Sequence, residues 1–188
     1  MQLWQLQRRK SWMKYPMLKK KLFLFFLAKL AEAYPIGKLK YAPGTCASFI
    51  ALITGYYILS KLNITNFIIF IIIFTILSYF LCEVHLKIYN KKDPSEIVVD
   101  EFAGQFIVLL ATIQTDNNLH ILLSIILSFL LFRFFDITKL GPIKKMENFR
   151  GGLGIIADDL LAGVFALITQ SAIYTYFNQP FLLKSYMG

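Results

Sequence analysis

Chemistry that depends on cysteine or histidine finds little material in this chain, which has two of each among 188 residues. Cys46 and Cys82 both fall in apolar surroundings without CxxC or Cys/His ligand spacing, so they read as small core residues rather than redox or metal groups. No GxSxG, HExxH, P-loop or GxGxxG pattern occurs, which leaves serine hydrolase, zinc protease and nucleotide-binding readings without support. Acidic residues are scarce as well, 11 against 20 Lys and Arg, for a net charge of +9. Basic clusters beside apolar spans point to anionic lipid headgroups, and the aromatic-basic interleaving of a nucleic-acid reader is missing. The order of a signal peptide, one basic patch, one apolar core and a small-residue cleavage site, is also missing from the opening stretch.

What the chain has in excess is apolar residues: 57% of the total, with 18 Phe, against about 45–50% in soluble domains. They gather into long blocks, such as Asn66 to Cys82 and Ile121 to Phe135, which read as membrane spans or as segments buried all round. The expected fold is all-α: a multi-pass transmembrane bundle with five apolar segments near 46–60, 65–86, 97–114, 119–138 and 154–177. The first is short, so a tilted span and a re-entrant piece both remain open, because a full crossing takes about 20 residues. Residues 1–34 form a basic arm around Trp4, Trp12 and the Leu22–Leu27 run, expected to lie in the membrane interface as an amphipathic helix. Residues 35–188 make a single membrane-embedded domain.

Basic residues orient the spans, since Lys and Arg stay on the cytoplasmic side. Ten precede residue 41, three more are Lys87, Lys91 and Lys92, and five lie between Arg133 and Arg150. With five crossings, the N-terminus is cytoplasmic and Lys61 and Lys184 fall together on the far side. His85 and His120 then lie on opposite faces and cannot pair. Tyr41–Ser48, Asp93–Glu101, Arg133–Ile143 and Gly151–Asp159 all arrive at the cytoplasmic face, so four separated pieces of chain can build one site.

Glu83, Asp100, Glu101, Asp136, Asp158 and Asp159 sit inside or at the ends of apolar segments. A charge there costs about 2.5–3.5 kcal/mol on insertion scales, so each needs a partner or a polar cavity. Carboxylates gathered together repel one another unless a divalent cation joins them, and oxygen-only ligands favour magnesium, manganese or calcium over zinc. Asp100 and Glu101 are backed one turn on by Gly104, and Asp158 and Asp159 by Ala162 and Gly163, which gives each acidic pair room for a neighbouring helix. Arg133, Asp136 and Lys139 follow at i, i+3 intervals and point broadly the same way, so Arg133 and Lys139 can supply charge and hydrogen bonds to a phosphate. Gly141-Pro142 then stops the helix. Ala42-Pro43-Gly44-Thr45 precedes an apolar helix, with Thr45 a candidate N-cap and phosphate contact and Ser48 three residues later. Asp93 and Glu96 read as acids near a positive helix end, and Glu83 as a salt-bridge partner of Lys87 one turn on.

In this order the motifs resemble the phosphatidylglycerophosphatase A family of bacterial membrane lipid phosphatases. The matching residues are Ala42-Pro43-Gly44-Thr45 with Ser48; Asp93-Pro94, Ile97-Val98, Asp100-Glu101 and Gly104; Phe132 to Ile137 with Lys139 and Pro142-Ile143; and Gly151-Gly152, Gly154-Ile155, Asp158-Asp159 and Ala162-Gly163. The resemblance covers about residues 35–177. It departs at Lys139-Leu140-Gly141-Pro142, where the family reads Lys-Pro-x-Pro, and at Ala47, where the family has Gly. It implies a magnesium-dependent phosphomonoesterase of the bacterial cytoplasmic (inner) membrane that converts phosphatidylglycerophosphate to phosphatidylglycerol. Asp100, Glu101, Asp136, Asp158 and Asp159 would be catalytic, with Mg2+ on Glu101, Asp136, Asp158 and Asp159. The rival reading is a transporter or channel, in which intramembrane acids mark an ion path.

Overall fold

The computed structural model describes residues 18–90, 94–114 and 118–186, and every regular element in them is helical. Helix α1 covers residues 18–31, and residues 1–17 of the expected basic arm lie outside the described residues. A short 3-10 turn, Ile36–Lys38, leads to α2 (Pro43–Leu59), α3 (Ile64–Tyr89) and α4 (Val99–Val108), which continues as a 3-10 segment, Leu109–Gln114. Then come α5 (Asn118–Thr138), the single turn α6 (Ile143–Met146) and α7 (Gly152–Tyr186).

Local chemistry sets the helix ends. Proline has its φ pre-set for the first helical position, and α2 starts there, at Pro43, after Ala42 turns the chain in a left-handed conformation at φ 45°. The cap is therefore Ala42 and not Thr45, which falls within the first turn. Asn63 caps α3 by accepting the Asn66 N–H at 2.8 Å, and Asn90 closes it with φ 50°.

Three helical stretches among the described residues are long and apolar enough to cross a membrane: Ile64–Tyr89, Leu119–Thr138 and Gly152–Tyr176. Their outward residues are apolar too. On α3, Ile69, Ile72, Ile73, Ile76, Leu77 and Phe80 are all exposed, as suits a surface solvated by lipid. The remaining two apolar segments take other forms. That near 46–60 is the shorter apolar helix α2. That near 97–114 is split, with seven of the ten α4 residues buried, because α4 is wrapped by α2, α3, α5 and α7. With its 3-10 continuation it still rises roughly 25–30 Å.

Two apolar clusters clasp this central helix. Phe106 and Leu109 pack with Ala51 and Leu52 of α2 and Phe67 and Ile71 of α3, while Val108 packs with Phe132, Ile143, Ala162 and Ala166. The backbones of α4 and α7 nearly touch, since a Cβ on Gly163 would lie 2.5 Å from the Gly104 carbonyl oxygen. A Cβ on Gly104 would lie 2.6 Å from the Asp159 carbonyl oxygen. Close approach of small residues is the usual source of helix association in lipid, and here it sets the two acidic pairs side by side.

Candidate active site

A cavity of about 410 Å³ opens where the first turns of α2, α4 and α7 meet the last turn of α5. Pro43 and Gly44, Asp100 and Glu101, Arg133 and Asp136, Lys139, Glu147, and Asp158 and Asp159 all line it. The four motif-bearing segments thus converge, with α2, α4 and α7 running away from the cavity and α5 running towards it. Thr45 is the one candidate that does not line it.

The acidic pair of α7 is divided between two sides of the cavity, Asp159 facing Glu101 and Asp136, and Asp158 facing Lys139. Glu101, Asp136 and Asp159 offer carboxylate oxygens that all lie within 4.8 Å of one another. Arg133 Nη1 bridges two of these residues, donating to Glu101 Oε2 at 2.6 Å and forming an ion pair with Asp136 Oδ2 at 2.7 Å. The Ser48 hydroxyl sits 2.8 Å from both Glu101 Oε2 and the Gly44 carbonyl oxygen, to one of which it donates, and accepts from Arg133 Nη1 at 3.2 Å. Gly44 is needed for this contact, because a Cβ there would collide with the Glu101 carboxylate. Ser48 was not among the candidates, although it follows Gly44 by four residues and so shares its helix face.

On the other side, Lys139 Nζ donates to Asp158 Oδ2 at 2.7 Å and to Glu147 Oε1 at 2.6 Å. Burial disfavours the Lys139 charge, but these bonds outweigh it and hold the ammonium above its ordinary range. Lys139 adopts φ 46° and Gly141 φ 59°, so the turn after α5 is made by two left-handed residues. Asp158, grouped with the metal ligands from sequence, lies outside the triad and faces Lys139, and its Oδ1 is buried without a partner among the described residues. Asp100 Oδ1 accepts the Glu101 N–H at 3.0 Å.

The triad fits a hard divalent cation by donor chemistry and spacing. It supplies three carboxylate oxygens from three helices and no nitrogen or sulfur. Oxygens around an octahedral magnesium lie about 3–4 Å apart, so small side-chain rotations suffice to bring these three onto one ion.

The other candidates fall elsewhere. His85 Nε2 is 3.2 Å from Glu32 Oε1 in a buried pair, and His120 is exposed at the start of α5. Glu83 accepts the Gly152 N–H at 2.7 Å besides standing 3.8 Å from Lys87 Nζ. Asp93 lies outside the described residues, while Glu96 pairs with Lys38 at 3.7 Å.

Residues 29–174 match the model of a family described as phosphatidylglycerophosphatase A. Among curated proteins, the chain is 38% identical over 145 residues to phosphatidylglycerophosphatase A of Haemophilus influenzae, covering 77% of this chain and 86% of that one. It is 34% identical over 148 residues to a candidate phosphatidylinositol-3-phosphatase of Bacteroides thetaiotaomicron, covering 77% and 91%. It is 30% identical over 138 residues to phosphatidylglycerophosphatase A of Escherichia coli, covering 73% and 77%. No solved structure matches.

Proposed function

The chain belongs to the phosphatidylglycerophosphatase A family and is a phosphoric monoester hydrolase; from that premise we propose that it hydrolyses phosphatidylglycerophosphate to phosphatidylglycerol, with magnesium, at the cytoplasmic face of the bacterial inner membrane. The observation that carries the magnesium reading is the charge of the cavity. Six acidic and two basic side chains line it, a formal surplus of four negative charges, and a phosphomonoester brings about two more. Such a substrate would be repelled without a cation, and the triad has the chemistry to hold one.

Glu101, Asp136 and Asp159 would hold the ion, whose charge would lower the repulsion and favour a water as nucleophile when bound. Asp158 and Asp100 stand beside them. Arg133 is fixed through Nη1 beside the triad, where its charge would face a phosphate, and its Nε is buried and without a partner among the described residues. Lys139 brings a second fixed positive charge to the opposite side. In the reaction a water oxygen bonds to phosphorus, the bond from phosphorus to the glycerol oxygen breaks, and that oxygen takes up a proton.

A transporter fits less well. The carboxylates gather at one end of the bundle, and the buried polar groups described deeper in it, Gln105, Ser128, Ser124 and Gln170, are uncharged. The test is phosphate release from phosphatidylglycerophosphate with and without magnesium, with phosphatidylinositol 3-phosphate as a competing lipid monoester. Glu101→Gln and Asp159→Asn are expected to fold in detergent and to lose release. Wild-type rates in either variant, or equal release after chelation, would end the proposal.

A further inference from the structure

Glu83 stands on α3 and does not line the cavity, yet its carboxylate is joined to the helix that carries Asp158 and Asp159. Its Oε1 accepts the N–H of Gly152, the first residue of α7, at 2.7 Å. The residue before that helix is Gly151, which has no side chain to cap it, and the first N–H groups of a helix have no partners of their own. A carboxylate supplied from another helix satisfies one of them and matches the positive pole. The contact with Lys87 is looser, at 3.8 Å, to a side chain 78% exposed.

The two glycines exist to permit this contact. Gly151 takes φ 70°, and a Cβ on it would collide with the Glu83 carboxylate. A Cβ on Gly152 would lie 3.0 Å from the Tyr79 carbonyl oxygen and 3.1 Å from Cys82 Cβ. The start of α7 is therefore pressed directly onto α3. Asp158 and Asp159 follow two turns later, about 10 Å along the axis. Their tasks are opposed, since Asp159 must reach Glu101 and Asp136 while Asp158 reaches Lys139, so a small rotation of α7 would spoil both.

We infer that Glu83 is a positioning residue for the phosphatase site: by capping α7 from α3 it fixes the height and rotation at which Asp158 and Asp159 enter the cavity. This rests on the function proposed above. The test compares full-length wild type, Glu83→Leu, Glu83→Gln and Lys87→Ala in lipid nanodiscs. Binding of Mn2+ is measured directly by calorimetry, beside kcat and KM for phosphatidylglycerophosphate. Glu83→Leu is expected to weaken Mn2+ binding at least tenfold and to lower kcat 10- to 100-fold with KM within about threefold. Glu83→Gln keeps a carbonyl acceptor and is expected to stay within about threefold of wild type on both measures, and Lys87→Ala to match wild type. Should Glu83→Leu not fold, Glu83→Ala carries the same expectations. Wild-type Mn2+ affinity and kcat in the leucine or alanine variant overturn the inference, as does a Lys87→Ala variant equally impaired. A wild-type protein that releases no phosphate overturns the function itself and takes the inference with it, whereas an active wild type beside an unimpaired Glu83→Leu overturns the inference alone.

Discussion

Ser48 shows how much one hydroxyl can hold in place. It touches both members of the Glu101–Arg133 pair, and without it Glu101 Oε2 has Arg133 alone as its partner among the contacts described. A hydrogen bond to a charged group is worth about 1.5–3 kcal/mol, and about 1.4 kcal/mol is a factor of ten in rate. Ser48→Ala is therefore expected to fold and to lose about 10- to 100-fold in kcat/KM, measured as phosphate release. Single residues were unevenly legible in the sequence. The five carboxylates that line the cavity, with Arg133 and Lys139, stood out in the sequence because a charge inside an apolar run is costly and must have a reason. Ser48 entered only as a member of the first motif, because a neutral hydroxyl in a helix carries no such cost, and Glu147 and Glu32 were passed over because a carboxylate close to lysines in sequence reads as an ordinary ion pair.

At the scale of elements, the site depends on two contacts that hold helices together. The first is the crossing of α4 and α7 at Gly104 and Gly163. A methyl group on Gly163 would meet backbone rather than a movable side chain, so Gly163→Ala must push the helices apart. The expected cost is about 1–3 kcal/mol, seen as a lower midpoint of thermal unfolding in detergent, with a disproportionate loss of activity as Glu101 and Asp159 separate. The second contact anchors α1. Glu32 is fully buried, takes Lys29 Nζ at 2.7 Å and faces His85 at 3.2 Å, with Lys38 at 3.8 Å. Burial works against the Lys29 charge, but its bond to Glu32 prevails and raises its pKa. Glu32→Ala would leave buried His85 without this acceptor, while Lys29 and Lys38 can turn to water, at a cost of about 1–3 kcal/mol measurable as a fall in that midpoint and faster proteolysis near residue 35. Apolar length alone disclosed α3, α5 and α7, because a lipid-facing span must be both long and greasy. It could not separate them from α4, whose run is just as apolar because protein surrounds it. Nor did it foresee that Ala42, with no polar side chain, would occupy the cap position expected for Thr45.

For the whole molecule, the charge is distributed against its own average. A chain with net charge +9 carries at one end a cavity with a formal surplus of four negative charges, reached by four helices and lined by charged side chains that are buried or half-buried, Glu147 apart. Mutual repulsion in that cavity opposes folding, so a bound divalent ion would stabilise the native bundle as well as serve the reaction. Binding to the folded state alone contributes RT ln(1 + [L]/Kd), about 2.7 kcal/mol when the ion is at 100 times its Kd. Magnesium is thus expected to raise the thermal midpoint of the wild-type protein in detergent, in proportion to the logarithm of its concentration above Kd. In Asp159→Asn the triad loses one charge and a ligand, so its midpoint without magnesium is expected to equal or exceed that of wild type, because repulsion falls, while the response to magnesium disappears. A wild-type midpoint indifferent to magnesium, or an undiminished response in Asp159→Asn, would show that these carboxylates are reconciled by Arg133 and Lys139 without an ion.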